Sequence, residues 1–151
     1  MKCQQSSLYL YFDGDCEAAF TFYQTVLGGE IPYVGRYKDM PADESGNKCK
    51  PEDENKIMHM SLIMPNGGQM LGSDVPKEMP GYELKVGNNV ALSLNATSRE
   101  DADKIFNGLS AGGNVTMPLD DTFWGAYFGM WTDKFGVNWM VNYDDPSKMQ
   151  S

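Results

Sequence analysis

Residues 8–31 read LYLYFDGDCEAAFTFYQTVLGGEI, and residues 92–115 read LSLNATSREDADKIFNGLSAGGNV. Laid 84 positions apart, Leu8 meets Leu92, Leu10 meets Leu94, Ala18 meets Ala102 and Phe22 meets Phe106. Gly28-Gly29 meets Gly112-Gly113, and Ile31 meets Val115. A self-match running through a strand, a helix and a Gly-Gly stop marks two copies of one supersecondary unit.

Outward from that stretch, residues 5–12 read as a strand and Asp13-Gly14-Asp15 as a turn that caps a helix. Ala18, Ala19, Phe22, Tyr23 and Val26 recur at helical spacing, which gives one apolar stripe. Gly28-Gly29 ends the helix in the left-handed manner, and a second strand is expected at 30–37. Residues 57–64 and 69–74 form two strands around Pro65-Asn66-Gly67-Gly68, a hairpin turn. In the second copy, 89–95 is a strand, Ser98 with Asp101 resembles a capping box, and Ala102, Ile105, Phe106 and Leu109 form the stripe. Strands follow at 114–119, 126–132 and 137–143, the last two joined by Asp133-Lys134-Phe135-Gly136.

The hairpins match at another offset, with Gly68 meeting Gly136, 68 positions on. The two offsets differ by 16 residues, about the size of the polar stretch KDMPADESGNKCKPEDENK at 38–56. One α+β domain of two βαβββ modules results. Module one spans approximately 5–74 with a solvated insertion at 38–56, a linker covers 75–88, and module two spans approximately 89–144.

Composition bounds the function. The chain has 151 residues, 41% of them hydrophobic, enough for a real core. Its net charge of −9 argues against nucleic-acid binding, which needs clustered Lys and Arg. No apolar run approaches a membrane span, and MKCQQSSLYLYF is too short and polar for a secretory signal. The three cysteines, Cys3, Cys16 and Cys49, have no metal-like spacing, and an odd count suits reduced thiols in a cytoplasm. Cys16 opens a helix, but Asp13, Asp15 and Glu17 oppose its ionisation, so a structural thiol is expected.

Strand residues alternate faces, and the helices cover one face. Leu8, Leu10, Phe12, Val90, Leu92, Leu94, Val137, Trp139 and Val141 fit the covered face. The opposite parity gives Gln5, Ser7, Tyr9, Tyr11, His59 and Ser61 in the first module. In the second it gives Asn89, Ala91, Ser93, Asn95, Asn138, Met140 and Asn142. The 68-residue offset pairs His59 with Tyr127 and puts Trp131 further along the same strand, so both are expected to line the cavity. Trp124, before Gly125, has no assigned face. Aromatic walls with a few hydrogen-bonding groups suit a small-molecule cavity; a wet groove or a dimer contact is the other reading of this face. His59, the only histidine, is the one candidate catalytic residue, as general base or hydrogen-bond donor; the alternative is a packed histidine bonded to a neighbour.

The paired modules, FDGDCEAAFTFYQTVLGGE (12–30) and WGAYFGMWTDKFGVNWMVNY (124–143) together resemble the vicinal oxygen chelate superfamily, and within it the PhnB-like branch. That superfamily includes the glyoxalases, dioxygenases and bleomycin-resistance proteins. The resemblance implies two open half-barrels that form a glyoxalase-like open barrel, often assembled as homodimers, with a cavity inside each. Its metal-dependent members draw His, Glu and Gln ligands from the first and last strands of each module. Those places fall approximately at Gln5, Gly72, Asn89 and Met140, of which only Gln5 is a plausible ligand. The expectation is therefore a metal-free cavity with no cofactor, holding an unidentified small molecule. The ligand-binding candidates are Tyr9, Tyr11, His59, Ser61, Asn89, Ser93, Tyr127, Trp131, Asn138 and Met140. A metal-independent enzyme using His59 is the alternative, and a protein-interaction role through the second face or the 38–56 loop is a third.

Overall fold

The computed structural model describes residues 2–77 and 81–148; residues 78–80 of the expected 75–88 linker lie outside the described residues. The contacts divide the chain between Leu84 and Lys85 into two units. The first contains β1 (Leu8–Phe12), α1 (Cys16–Leu27), β2 (Glu30–Arg36), β3 (Ile57–Ile63) and β4 (Gln69–Asp74). The second contains β5 (Leu92–Asn95), α2 (Arg99–Ser110), β6 (Asn114–Asp121), β7 (Ala126–Thr132) and β8 (Asn138–Asp144). Each unit is a βαβββ module, and the fold class is α+β.

The sheets have the same plan, in the orders β1-β4-β3-β2 and β5-β8-β7-β6. The first strand of each module runs parallel to the last, and the other neighbours are antiparallel. Each helix buries one stripe against its sheet: Cys16, Ala19, Phe20 and Tyr23 on α1, and Ala102, Phe106 and Leu109 on α2. These buried positions align at 83 residues, one fewer than the flanking strands, so Tyr23 rather than Phe22 is the counterpart of Phe106. The glycine stops match as expected. A Cβ on Gly29 would strike the carbonyl oxygen of Ile63, and one on Gly113 that of Thr132, so only glycine fits either place.

The two helices begin differently. Ser98 caps α2, accepting from the backbone N–H of Asp101 at 3.0 Å. Asp15 makes no side-chain cap on α1, contrary to the reading of Asp13-Gly14-Asp15. The buried carboxylate of Asp74, at the end of β4, does that work. Its Oδ1 accepts from the N–H groups of Gly14 and Cys16 at 3.0 and 2.9 Å, and its Oδ2 from Ile57 N–H at 2.8 Å. One side chain thus ties the helix start to the entrance of β3. Burial pushes the Cys16 thiol well above the ordinary cysteine range, with Asp74 and Glu17 adding to it, which makes this thiol inert.

The insertion at 38–56 is pinned at both ends. Tyr37 N–H donates to Lys56 O and Lys38 N–H to Glu54 O, both at 3.1 Å, and Lys56 pairs with the buried Asp53 at 2.8 Å. Tyr37 also donates its hydroxyl to the carbonyl oxygen of Asp74 at 2.7 Å. Burial first, then nearby Asp74, pushes Tyr37 up to about 12. The neutral phenol is the form the fold favours. Its contribution to stability is complete below the unfolded tyrosine value of about 10 and is lost as pH rises towards 12. Phenolate absorbance during an alkaline titration should therefore show a late-ionising component, and Tyr37→Phe should remove part of it. Among the described residues, no helix is long and apolar enough to cross a membrane.

Candidate functional site

Every second residue of a strand faces away from its helix, and in the first module this rule collects aromatic rings. Tyr9 and Tyr11 on β1 share the open face with His59 and Ser61 on β3, as the sequence parity predicts. The register of β2 brings Tyr33 opposite Ser61 and Gly35 opposite His59. Tyr33 lies back over Gly35, whose missing Cβ would stand 2.6 Å from the Tyr33 hydroxyl. The rings form a continuous row. Tyr82 to Tyr11 is 5.8 Å between centroids, Tyr11 to Tyr9 5.0 Å, Tyr9 to His59 5.6 Å and His59 to Tyr33 6.0 Å. Tyr11 and Tyr33 are each about half exposed, so the row is open to a visitor.

One polar contact organises the row. Tyr9 Oη and His59 Nδ1 share a hydrogen bond of 3.0 Å. His59 therefore has a partner, which the sequence reading left undecided, and its Nε2 has none among the described residues. The hydroxyls of Tyr11, Tyr33 and Tyr82 also make no hydrogen bond to the described residues. The sequence singled out Tyr9, Tyr11, His59 and Ser61 but missed Tyr33 and Tyr82. Tyr33 was legible in principle: Gly35 two residues on leaves the gap its ring occupies.

The second module corrects the expectation for Tyr127 and Trp131. Gly129 and Trp131 sit opposite Val141 and Trp139 in the β7–β8 register, on the face that α2 covers. Trp131 is 1% exposed, edge-on to Phe106 at 5.3 Å and stacked on Trp139 at 6.3 Å. Tyr127 donates its hydroxyl to Asp103 of α2, and the Arg99 guanidinium lies 3.9 Å from its ring centroid. That hydrogen bond, then burial, pushes Tyr127 up to about 12. The hairpins in fact match at 69 residues: Ile63 pairs with Gln69 as Thr132 pairs with Asn138, and the left-handed glycine is Gly67 in one and Gly136 in the other. A slip of one residue moves every side chain of a strand to the opposite face. Phe128 and Met130, not Tyr127 and Trp131, correspond to His59 and Ser61.

The remaining residues are scattered. Ser93 and Met140 are register partners on the open face of the second sheet. Asn89 is exposed and precedes β5. Asn138 is committed to structure: its Nδ2 donates to Gly87 O at 2.9 Å and Val90 O at 3.3 Å, while its Oδ1 accepts from Thr132 Oγ1 at 2.8 Å. Trp124 is half exposed and edge-on to Phe128 at 6.2 Å.

Residues 7–141 match the family model described as Glyoxalase/Bleomycin resistance protein/Dioxygenase superfamily. The chain belongs to that superfamily. Protein YjdN of Escherichia coli is 32% identical over 141 residues, 90% of this chain and 92% of its own length. The crystal structure of protein PA1353 from Pseudomonas aeruginosa superposes with a TM-score of 0.81 at 37% identity, covering 94% of this chain and 98% of that one. A PhnB protein from Bacillus cereus, whose name also carries a 3-demethylubiquinone-9 3-methyltransferase activity, gives 0.73 at 26%, with 93% and 99% covered. Within the superfamily the chain falls in the PhnB-like branch.

The superfamily's metal centres can be tested against these donors. Gly72, one of the carried-over ligand places, faces α1: a Cβ there would meet the Phe20 ring at 2.8 Å and Cys16 Sγ at 3.2 Å. Gln5 precedes β1 and turns its amide to Ser7 Oγ at 3.3 Å. Among the described residues no group of three or more His, Cys, Asp or Glu could hold a metal ion. The open face of the first module offers one imidazole among phenols and hydroxyls, where a catalytic metal needs about three good protein donors. These residues do not fit the superfamily's His/Glu/Gln ligand pattern.

Gly35→Ala tests the role of the tyrosine row. Gly35 does not have a positive φ, and the atom in the way is the far end of a side chain, so stability should change by less than about 1 kcal/mol. The Tyr33 ring should move off His59, read as a change in the His59 and Tyr33 ring proton shifts.

Proposed function

We propose that this protein is a small-molecule-binding member of the PhnB-like branch, and that the open face of its first module holds the ligand without a metal. The single observation that carries the reading is the Tyr82–Tyr11–Tyr9–His59–Tyr33 row, in which Tyr11, Tyr33 and Tyr82 are exposed and their hydroxyls and His59 Nε2 have no hydrogen-bond partner among the described residues. Flat apolar surface with a few placed hydrogen-bonding groups is what ligand sites use. The donor set described above supports the metal-free part. A homodimer in the cytoplasm completes the proposal, supported by superfamily membership and by free cysteines at 3, 16 and 49.

Calorimetric titration with a panel of planar metabolites and drugs, in excess chelator, tests it. At least one compound should bind, and Tyr33→Ala should weaken that compound about tenfold, some 1.4 kcal/mol. Binding that Tyr33→Ala and His59→Ala both leave unchanged would place the site elsewhere.

A second reading has one observation in its favour, the 3.0 Å bond between Tyr9 and His59. A metal-independent enzyme would use His59 as base or donor with Tyr9 behind it. The methyltransferase activity in the Bacillus cereus protein's name finds no support in this sequence, which has no glycine-rich nucleotide loop after a strand. Turnover of any bound compound that His59→Ala abolishes would establish the enzyme reading.

A further inference from the structure

The hydrogen bond between Tyr9 and His59 has a direction, and the direction sets what the face can recognise. Either the phenol donates to Nδ1 or Nδ1–H donates to the phenol oxygen. A phenol O–H is the more acidic donor, and an unprotonated imidazole nitrogen is the better acceptor of the two. The favoured arrangement has Tyr9 donating to Nδ1. The neutral imidazole then carries its proton on Nε2, and Nε2–H has no acceptor among the described residues.

Around that donor the chemistry is one-sided. Among the described residues, the strand positions beside it are Tyr9, Tyr11, Tyr33, Ser61, Leu71 and Ser73, with the Tyr82 ring against Tyr11, and none of these is Lys, Arg, Asp or Glu. An anion would find no fixed positive charge there and would approach a chain of net charge −9. A cation would find aromatic faces but would meet the Nε2–H proton head-on, with no carboxylate among the described strand positions of the face to offset it. A neutral planar molecule with an acceptor oxygen satisfies both features, its ring on the tyrosines and its oxygen on Nε2–H.

We propose that Tyr9 is a positioning residue that holds His59 as the Nε2–H tautomer, and that this face is selective for neutral planar compounds bearing a carbonyl or similar acceptor oxygen. The ligand class rests on the binding reading above; the tautomer does not. Nitrogen-15 NMR of the histidine ring in the ligand-free protein should show Nε2 protonated, and Tyr9→Phe should mix the two tautomers while the fold is retained. Coumarin, coumarin-3-carboxylate and N-methylquinolinium are then titrated as neutral, anionic and cationic two-ring probes. Coumarin should bind about tenfold or more tighter than either charged probe and should move the Nε2 signal. His59→Phe should erase that preference, and His59→Gln, which keeps an N–H donor, should retain part of it.

A protonated Nδ1 in the free protein overturns the positioning role. Tightest binding by N-methylquinolinium or by the carboxylate overturns the ligand class while leaving a binding face in place. No probe moving the Tyr9, Tyr33 or His59 signals, with the tautomer as expected, overturns the ligand class together with the binding reading beneath it.

Discussion

Replacing Asp74 with alanine is expected to destabilise the first module by about 3–5 kcal/mol, a large share of the stability of a domain this size. The carboxylate is 1% exposed and accepts from the N–H groups of Gly14, Cys16 and Ile57. Alanine leaves the buried Cys16 and Ile57 donors without this acceptor and frees the part-buried Gly14 N–H, and each unsatisfied buried donor costs about 1–3 kcal/mol. The damage falls on the start of α1, whose first turn has no side-chain cap of its own. Asp74→Asn keeps a carbonyl oxygen and should cost less, because one acceptor survives. Urea unfolding followed by circular dichroism measures both variants. A loss below about 1 kcal/mol for alanine would show that water replaces the carboxylate and that Asp74 does not staple the module.

Trp131→Ala is expected to cost a further class of stability, about 3–5 kcal/mol, and to leave ligand binding alone. The indole lies between Phe106 of α2 and Trp139 of β8, so its removal opens a cavity in the core of the second module. Its ring nitrogen has no hydrogen-bond partner among the described residues, which makes Trp131→Phe much milder. A Trp131→Ala protein that keeps its urea midpoint but loses small-molecule affinity would return this residue to the cavity wall.

That second prediction turns on how far the sequence could be read. The repeat, the order of the ten elements and both Gly-Gly stops are legible because local chemistry sets them. The face of β7 depends on one integer. Matching Gly68 to Gly136 gives 68, whereas the glycines that share the left-handed turn are Gly67 and Gly136, with φ of 89° and 91°. The Asn66-Gly67 pair was the available signal, since Asn-Gly marks the left-handed position of a hairpin turn. The wrong neighbour moved Tyr127 and Trp131 to the open face and hid Phe128 and Met130. In the first module no offset was needed, and Tyr9, Tyr11, His59 and Ser61 came out on the right face from parity alone.

The rest was written in tertiary structure. Asp74 is 58 residues from Cys16, so no local capping pattern could reveal it, and the local reading rested on the Asp13-Gly14-Asp15 turn. Tyr33 escaped because the β2–β3 register shifts on both sides of it, between Glu30 and Tyr33 and between Gly35 and Arg36, which breaks the alternation of β2. Asn138 faces as expected but spends its amide on the backbone at Gly87 and Val90, a use that parity does not report.

The central claim is that the first module's tyrosine–histidine face holds a small molecule without a metal. Its most direct test is aromatic-ring NMR of the whole protein in excess chelator during titration with the tightest compound from the panel. The rings of Tyr9, Tyr33 and His59 should shift together and saturate with one affinity, and added manganese or zinc should not raise that affinity. Binding that leaves those rings still, or that requires added metal, would contradict it.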